Sequence, residues 1–221
     1  TSRGPRAGGL AIVLKDIIKP GTLWFGWSGH TSTEASEDAK IVTHEGVDYA
    51  TIDLSESEYK KFYVGFANGT LWPLLHFRLG LVEFRREHLE GYLKVNEMYA
   101  KALVKQLRPD DVIWVHDYHL IPLAAALRRM GVKNRIGFFL HIPFVPSSVY
   151  AALPRGGELL EDLCAYDVTG FQTEEHRRDF EARKRRRSFE GNVGGSCRGR
   201  SKSSRCRRHE HSSCFMGTSS T

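Results

Sequence analysis

The contrast between apolar and polar positions is sharpest between residues 108 and 154. Two short apolar runs, 112–115 (Val-Ile-Trp-Val) and 136–140 (Ile-Gly-Phe-Phe-Leu), each stop at polar residues. His116 and Asp117 follow the first, and His141 follows the second. Residues 119–130, between them, carry a helix-like pattern. Strand, helix and strand in this order predict two adjacent parallel strands joined by a right-handed crossover. Ligands of open parallel sheets bind outside the carboxyl ends of the strands. His116, Asp117 and His141 all fall there, so they are the first candidates for chemistry.

Upstream, Gly8 and Gly9 precede an apolar segment, Leu10 to Leu14 with Ile17 and Ile18, that reads as a helix closed before Pro20 and Gly21. A glycine-opened helix start can bring backbone N–H groups to a phosphate; a tight turn is the plainer alternative. Residues 23–29 read as a strand, with Trp27 close to Gly26 and Gly29, either a sugar platform or a core ring. Residues 34–45 read as a polar connection and 49–54 as a strand. Ser55 and Glu58 have capping-box spacing and open a helix expected to run from Glu56 to about Asn68, where Asn68-Gly69 breaks it. A ring-dense segment, 71–77, contains Trp72. Residues 85–106 form a long helical candidate, with Leu89, Tyr92, Leu93, Val95, Met98, Ala102 and Leu103 at helical spacing. Beyond His141, Pro143 and Pro146 enforce a loop. Ser147 and Ser148 are read as capping a short helix, residues 158–165 as another helix, 166–171 as a third parallel strand, and Thr173 as the start of a final helix.

Composition changes this picture at one place. Residues 183–221 hold eleven Lys/Arg against two Glu, a balance of +9 in a chain of net +6, so residues 1–182 carry −3. The tail has no hydrophobic period and is expected to be disordered or the product of a shifted reading frame, leaving 1–182 as the folded domain. Only Cys164 lies before the tail; Cys197, Cys206 and Cys214 lie within it. A single cysteine in the domain suits a reducing, cytoplasmic compartment. No apolar run approaches the length of a bilayer span, so no membrane partner is expected. Nucleic-acid binding by the tail is set aside, because it has no Tyr or Trp and only Phe189 and Phe215 for stacking. A zinc site from Cys197, Cys206, Cys214, His209 and His211 lacks a close Cys-x-x-Cys spacing. His116 and His119 lack a third ligand of convincing spacing and are read as structural, so no metal is expected.

Several stretches follow one another in the order of a known family: Ala7-Gly8-Gly9-Leu10, residues 23–29, 71–76, Gly91 to Asn96, Val-His-Asp-Tyr-His-Leu at 115–120, residues 134–144 with Phe-Leu-His-Ile-Pro-Phe, and Gly170-Phe171-Gln172-Thr173. Over residues 7–182 the chain resembles the amino-terminal half of the trehalose-6-phosphate synthase family. The resemblance implies an α/β fold, a Rossmann-like parallel sheet with helices on both faces, as the amino-terminal domain of a B-type glycosyltransferase. It implies retaining transfer of glucose from UDP-glucose to glucose 6-phosphate, giving α,α-trehalose 6-phosphate, with no metal or cofactor and with a homo-oligomer possible for the full-length enzyme.

Carried over residue by residue, the resemblance places Gly8 and Gly9 at the donor diphosphate. It places Tyr63 and Trp72 on the acceptor, Trp27 in the pocket lining, Asp117 on acceptor hydroxyls, and His141 at the donor sugar near the bond that breaks. Three departures stand out. The family's first strand, with its acceptor-phosphate Arg, has no counterpart in Thr1 to Arg6. Val145 replaces a usual Pro, and nothing in the tail resembles the donor-binding domain. The chain alone is therefore expected to be inactive. The alternative is a non-catalytic regulatory or binding subunit.

Overall fold

The computed structural model describes residues 18–34, 38–190 and 213–216. Its seven strands are β1 (Leu23–Ser32), β2 (Lys40–His44), β3 (Val47–Ser55), β4 (Val112–His116), β5 (Arg135–Leu140), β6 (Val168–Phe171) and β7 (Ser213–Met216). They lie in the order β2-β3-β1-β7-β4-β5-β6. Every neighbouring pair is parallel except β2 with β3, which is antiparallel. Flanking the sheet are α1 (Glu56–Tyr59), a wide π-helical stretch (Lys60–Leu71), α2 (Trp72–Leu75), α3 (Arg86–Val104), α4 (Leu123–Arg129), α5 (Ser147–Tyr150), α6 (Gly156–Leu163) and α7 (Glu174–Glu190).

The strand–helix–strand unit forms as its pattern predicts. β4 and β5 pair in parallel from Val112 opposite Arg135 to His116 opposite Phe139. Ile113 and Val115 of β4, and Ile136, Phe138 and Leu140 of β5, are buried, so alternate residues of each strand face the core. Full burial of side chains of this size contributes about 1.5–3 kcal/mol each. The third parallel strand, β6, pairs with β5 through residues 137–140. α3 buries Leu89, Tyr92, Val95, Tyr99 and Leu103 along one stripe, as the helical spacing requires. The capping box is complete: the Ser55 hydroxyl accepts from the Glu58 N–H, and the Glu58 carboxylate accepts from the Ser55 N–H.

The structure corrects three local expectations. Residues 40–44 form edge strand β2 rather than a connection; all five are exposed, so no buried face marks them in the sequence. Asn68-Gly69 does not end the helix that Ser55 opens, which continues through the π-helical stretch into α2. The glycines there serve close packing: a Cβ on Gly65 would stand 2.6 Å from the His88 ring, and one on Gly91 would stand 2.4 Å from the Lys61 Cβ. Pro146, not a serine hydroxyl, precedes α5, whose N-cap has no side-chain hydrogen bond. α7 extends to Glu190, and residues 213–216 form β7. Thr173 caps α7 as expected, its hydroxyl accepting from the His176 N–H at 3.2 Å. The glycine-opened helix start, with Gly8 and Gly9, lies outside the described residues.

Candidate functional site

Asp117 follows the last residue of β4 with φ 72° and ψ 165°, a conformation that only glycine adopts without strain. Such strain costs on the order of 1–3 kcal/mol and persists where the surroundings enforce it. They do so here. The Asp117 N–H donates to the Phe139 carbonyl at 2.9 Å, and its carboxylate accepts from the Tyr118 N–H at 3.0 Å and from the backbone N–H of His141. Burial raises the carboxyl to about 6, against the lowering by those two N–H donors.

The turn after Asp117 is pinned from the helical side. The Tyr92 hydroxyl donates to the Tyr118 carbonyl at 2.6 Å, Asn96 Nδ2 to the His119 carbonyl at 3.1 Å, and the Tyr166 hydroxyl to the Leu120 carbonyl at 2.7 Å. Three successive buried carbonyls thus find side-chain donors where no regular ladder can serve them. The Tyr118 hydroxyl donates to Asn68 Oδ1 at 2.6 Å, tying the same turn to the π-helical stretch. Sequence reasoning missed Tyr92, Asn96 and Tyr166 as builders of the site. The one local signal was Asn96, a polar residue on the apolar stripe of α3.

His141 comes to the same rim from the end of β5. Its Nε2 lies 2.9 Å from Nδ1 of His116, and burial lowers the pKa of both rings, that of His116 to about 3. His119 is also buried and lowered to about 3, and its ring stacks on Tyr63 with centroids 5.1 Å apart. From Tyr63 an aromatic column continues to Tyr59 at 5.5 Å and on to Trp27 at 5.0 Å. Trp27 sits in a fixed turn. Its Nε1–H donates to the His30 carbonyl, Ser28 donates to Asp53, and Gly29 takes the left-handed φ of 84° that the turn needs. Asp53 also pairs with Lys40, and these donors hold its carboxyl below the usual range.

Of the residues singled out from the sequence, Asp117 and His141 meet at the carboxyl ends of β4 and β5, Tyr63 joins that rim through the ring of His119, and Trp27 of β1 lies at the far end of the aromatic column. Trp72 follows Asn68 by about one helical turn; it is 38% exposed and stacks on His76 at 4.1 Å. A cleft of about 460 Å³ opens elsewhere, between α3, α4 and α6, and none of these residues lines it. Its walls are laced by ion pairs such as Arg129 with Glu97 and Arg155 with Glu158. The rim of the sheet, not this cleft, holds the strained carboxylate and the stacked rings. Sugar hydroxyls are bound by such carboxylates, and sugar faces by such rings.

Comparison with known proteins identifies the family. The model of glycosyltransferase family 20 matches residues 2–187. A trehalose-6-phosphate synthase from Sodalis glossinidius is 49% identical over 175 residues, 79% of this chain and 37% of its own length. The crystal structure of an α,α-trehalose-phosphate synthase (UDP-forming) from Burkholderia xenovorans in complex with glucose-6-phosphate superposes with a TM-score of 0.75 at 51% identity, covering 80% of this chain and 39% of that one. A structure from E. coli bound with UDP-2-fluoro glucose gives 0.76 at 46% identity, covering 84% and 41%. The chain thus spans well under half the length of these relatives. Its sheet is the amino-terminal Rossmann-like domain of a B-type glycosyltransferase fold. On the match over residues 2–187 and the identity to its members, the chain belongs to glycosyltransferase family 20.

Proposed function

We propose that the chain is the acceptor-binding half of a retaining glucosyltransferase that moves glucose from UDP-glucose to glucose 6-phosphate, giving α,α-trehalose 6-phosphate. The observation that carries this reading is the strained Asp117 carboxylate at the end of β4, held by two backbone donors beside the Tyr63–Tyr59–Trp27 column. Relatives crystallised with glucose-6-phosphate and with UDP-2-fluoro glucose support the choice of both substrates.

In this reading Asp117 accepts hydrogen bonds from two acceptor hydroxyls and so fixes the face from which the sugar attacks. Orientation of this kind removes much of the entropic part of the barrier. The Tyr63 phenol donates to a phosphate oxygen of the acceptor, Trp72 packs on its ring, and Trp27 lines the pocket. His141 meets the donor sugar beside the reacting bond. Gly8 and Gly9 offer N–H groups to the donor diphosphate, where negative charge grows as the leaving group departs. The leaving phosphate takes the proton of the attacking hydroxyl on the same face, so no protein base is required. The second half of such an enzyme holds most of the donor, and the chain alone binds acceptor without turnover.

Isothermal titration of the chain with glucose 6-phosphate tests the reading, with glucose and inorganic phosphate as controls. Binding that needs both sugar and phosphate, and that Asp117→Asn weakens, is expected. Equal binding of inorganic phosphate alone would refute the assignment of Asp117 to the sugar. Turnover of UDP-glucose by this chain would refute its inactivity.

A further inference from the structure

We propose that His116 is a positioning residue that fixes the tautomer and ring plane of His141, and so decides what His141 offers to a sugar hydroxyl at the rim. The inference rests on the proposed function for its purpose, but its geometry stands alone. His116 is the last residue of β4, paired in register with Phe139, and is 1% exposed. Buried there, its ring is not placed to meet a ligand directly. His141 follows β5, is half-buried, and lies against the rings of Phe139 and His116 at 4.8 and 5.2 Å.

The 2.9 Å between Nδ1 of His116 and Nε2 of His141 is a full hydrogen bond. A hydrogen bond between two neutral imidazoles uses one proton. If His116 donates, the proton of His141 must sit on its Nδ1, and that atom is a donor. If His141 donates, its Nδ1 is bare and is an acceptor. In both cases Nε2 of His141 is committed inward, and the tautomer of His141 is tied to that of His116. A lone imidazole at the rim would exchange tautomers and rotate about its side-chain bonds. The buried surroundings keep both rings neutral at physiological pH, which this sharing requires. The parallel register of β4 and β5 is what brings the two rings together, so the lock is built into the sheet rather than into a loop.

The test is a long-range proton–nitrogen correlation on histidine-labelled chain, first in the wild type, then in His116→Phe and His116→Asn. Asn can present an amide near the position of Nδ1 and serve either as donor or as acceptor. One protonated and one bare nitrogen are expected for His141 in the wild type, averaged signals in H116F, and a return to one tautomer in H116N. Averaged His141 signals in the wild type would overturn the proposal, and that reading needs no variant to fold. Unchanged His141 signals in folded H116F would overturn it as well. The nitrogen spectra need no bound sugar, so failure of the chain to bind glucose 6-phosphate would count against the proposed function alone, and the lock is judged by the spectra.

Discussion

Tyr92→Phe removes one hydroxyl and leaves the ring among Phe62 and Phe66, whose centroids lie 5.8 and 4.7 Å away. The Tyr118 carbonyl then loses its 2.6 Å donor at a site where Tyr92 is 0% exposed and Tyr118 is buried. An orphaned buried acceptor costs about 1–3 kcal/mol. For a chain of this size that corresponds to a fall in Tm of roughly 2–12 °C. Burial raises the Tyr92 phenol well above its ordinary value, so the hydroxyl remains a donor at every working pH and the cost should not vary with pH. Tyr166→Phe removes the donor to Leu120, two residues along the same turn, and should cost a similar amount. Because both act on one short turn, the double variant should cost less than the sum: once the turn loosens, water reaches both carbonyls. Urea unfolding gives the free energies, and amide exchange across residues 117–121 shows where the loosening occurs. Asp117 heads this turn, so glucose 6-phosphate affinity should fall with it. A change below about 0.5 kcal/mol in Y92F, with unchanged exchange, would refute the view that helix-borne hydroxyls hold the site.

Asp117→Asn should stabilise the chain at pH 8 while weakening acceptor binding. The folded carboxyl holds its proton to about 6 and the unfolded one to about 3.8, so the folded state binds more protons between these values and stability falls as pH rises through them. The full difference amounts to at most about 3 kcal/mol. The gain in D117N should appear in urea midpoints at pH 8 and fade at pH 4, and a gain independent of pH would contradict this. Asp162, also raised to about 6 by burial, should leave part of the slope in place. Gly91→Ala should destabilise the fold by about 1–3 kcal/mol despite better helix propensity, since the new methyl meets Lys61; a rise in Tm would show that the helices part freely. Ser55→Ala should cost about 1 kcal/mol through loss of the α1 cap, measured by denaturation. A chain ended at Glu190 should melt at lower temperature and associate through bared strands, which calorimetry and light scattering would report.

Much of the fold was legible because local pattern and tertiary burial coincide. β4, α4, β5 and α3 each present one apolar face to the core, and their periods could be read directly. β2 could not be read, because all five of its residues are exposed and no alternation survives. The continuation of the Ser55 helix past Asn68 was hidden for the opposite reason. Asn-Gly usually marks a break, yet the run passes through Gly69 into α2. At the site, Asp117 and His141 announced themselves by following strands. Tyr92, Asn96 and Tyr166 did not, since a side chain bonded to a carbonyl 23 to 46 residues away leaves no local trace. The contact between His116 and His141 has the same character: 25 residues separate them, and only the strand register brings them together.

The place of β7 has a consequence for how the molecule is made. Among the described residues it follows every other element yet lies between β1 and β4, which do not pair with each other. Until β7 pairs with both, the two half-sheets each present a bare row of amides and carbonyls. Closure across so long a separation is slow. The waiting edges are open to a strand from a neighbouring nascent chain, so the yield of monomer should fall with expression rate before it falls with temperature.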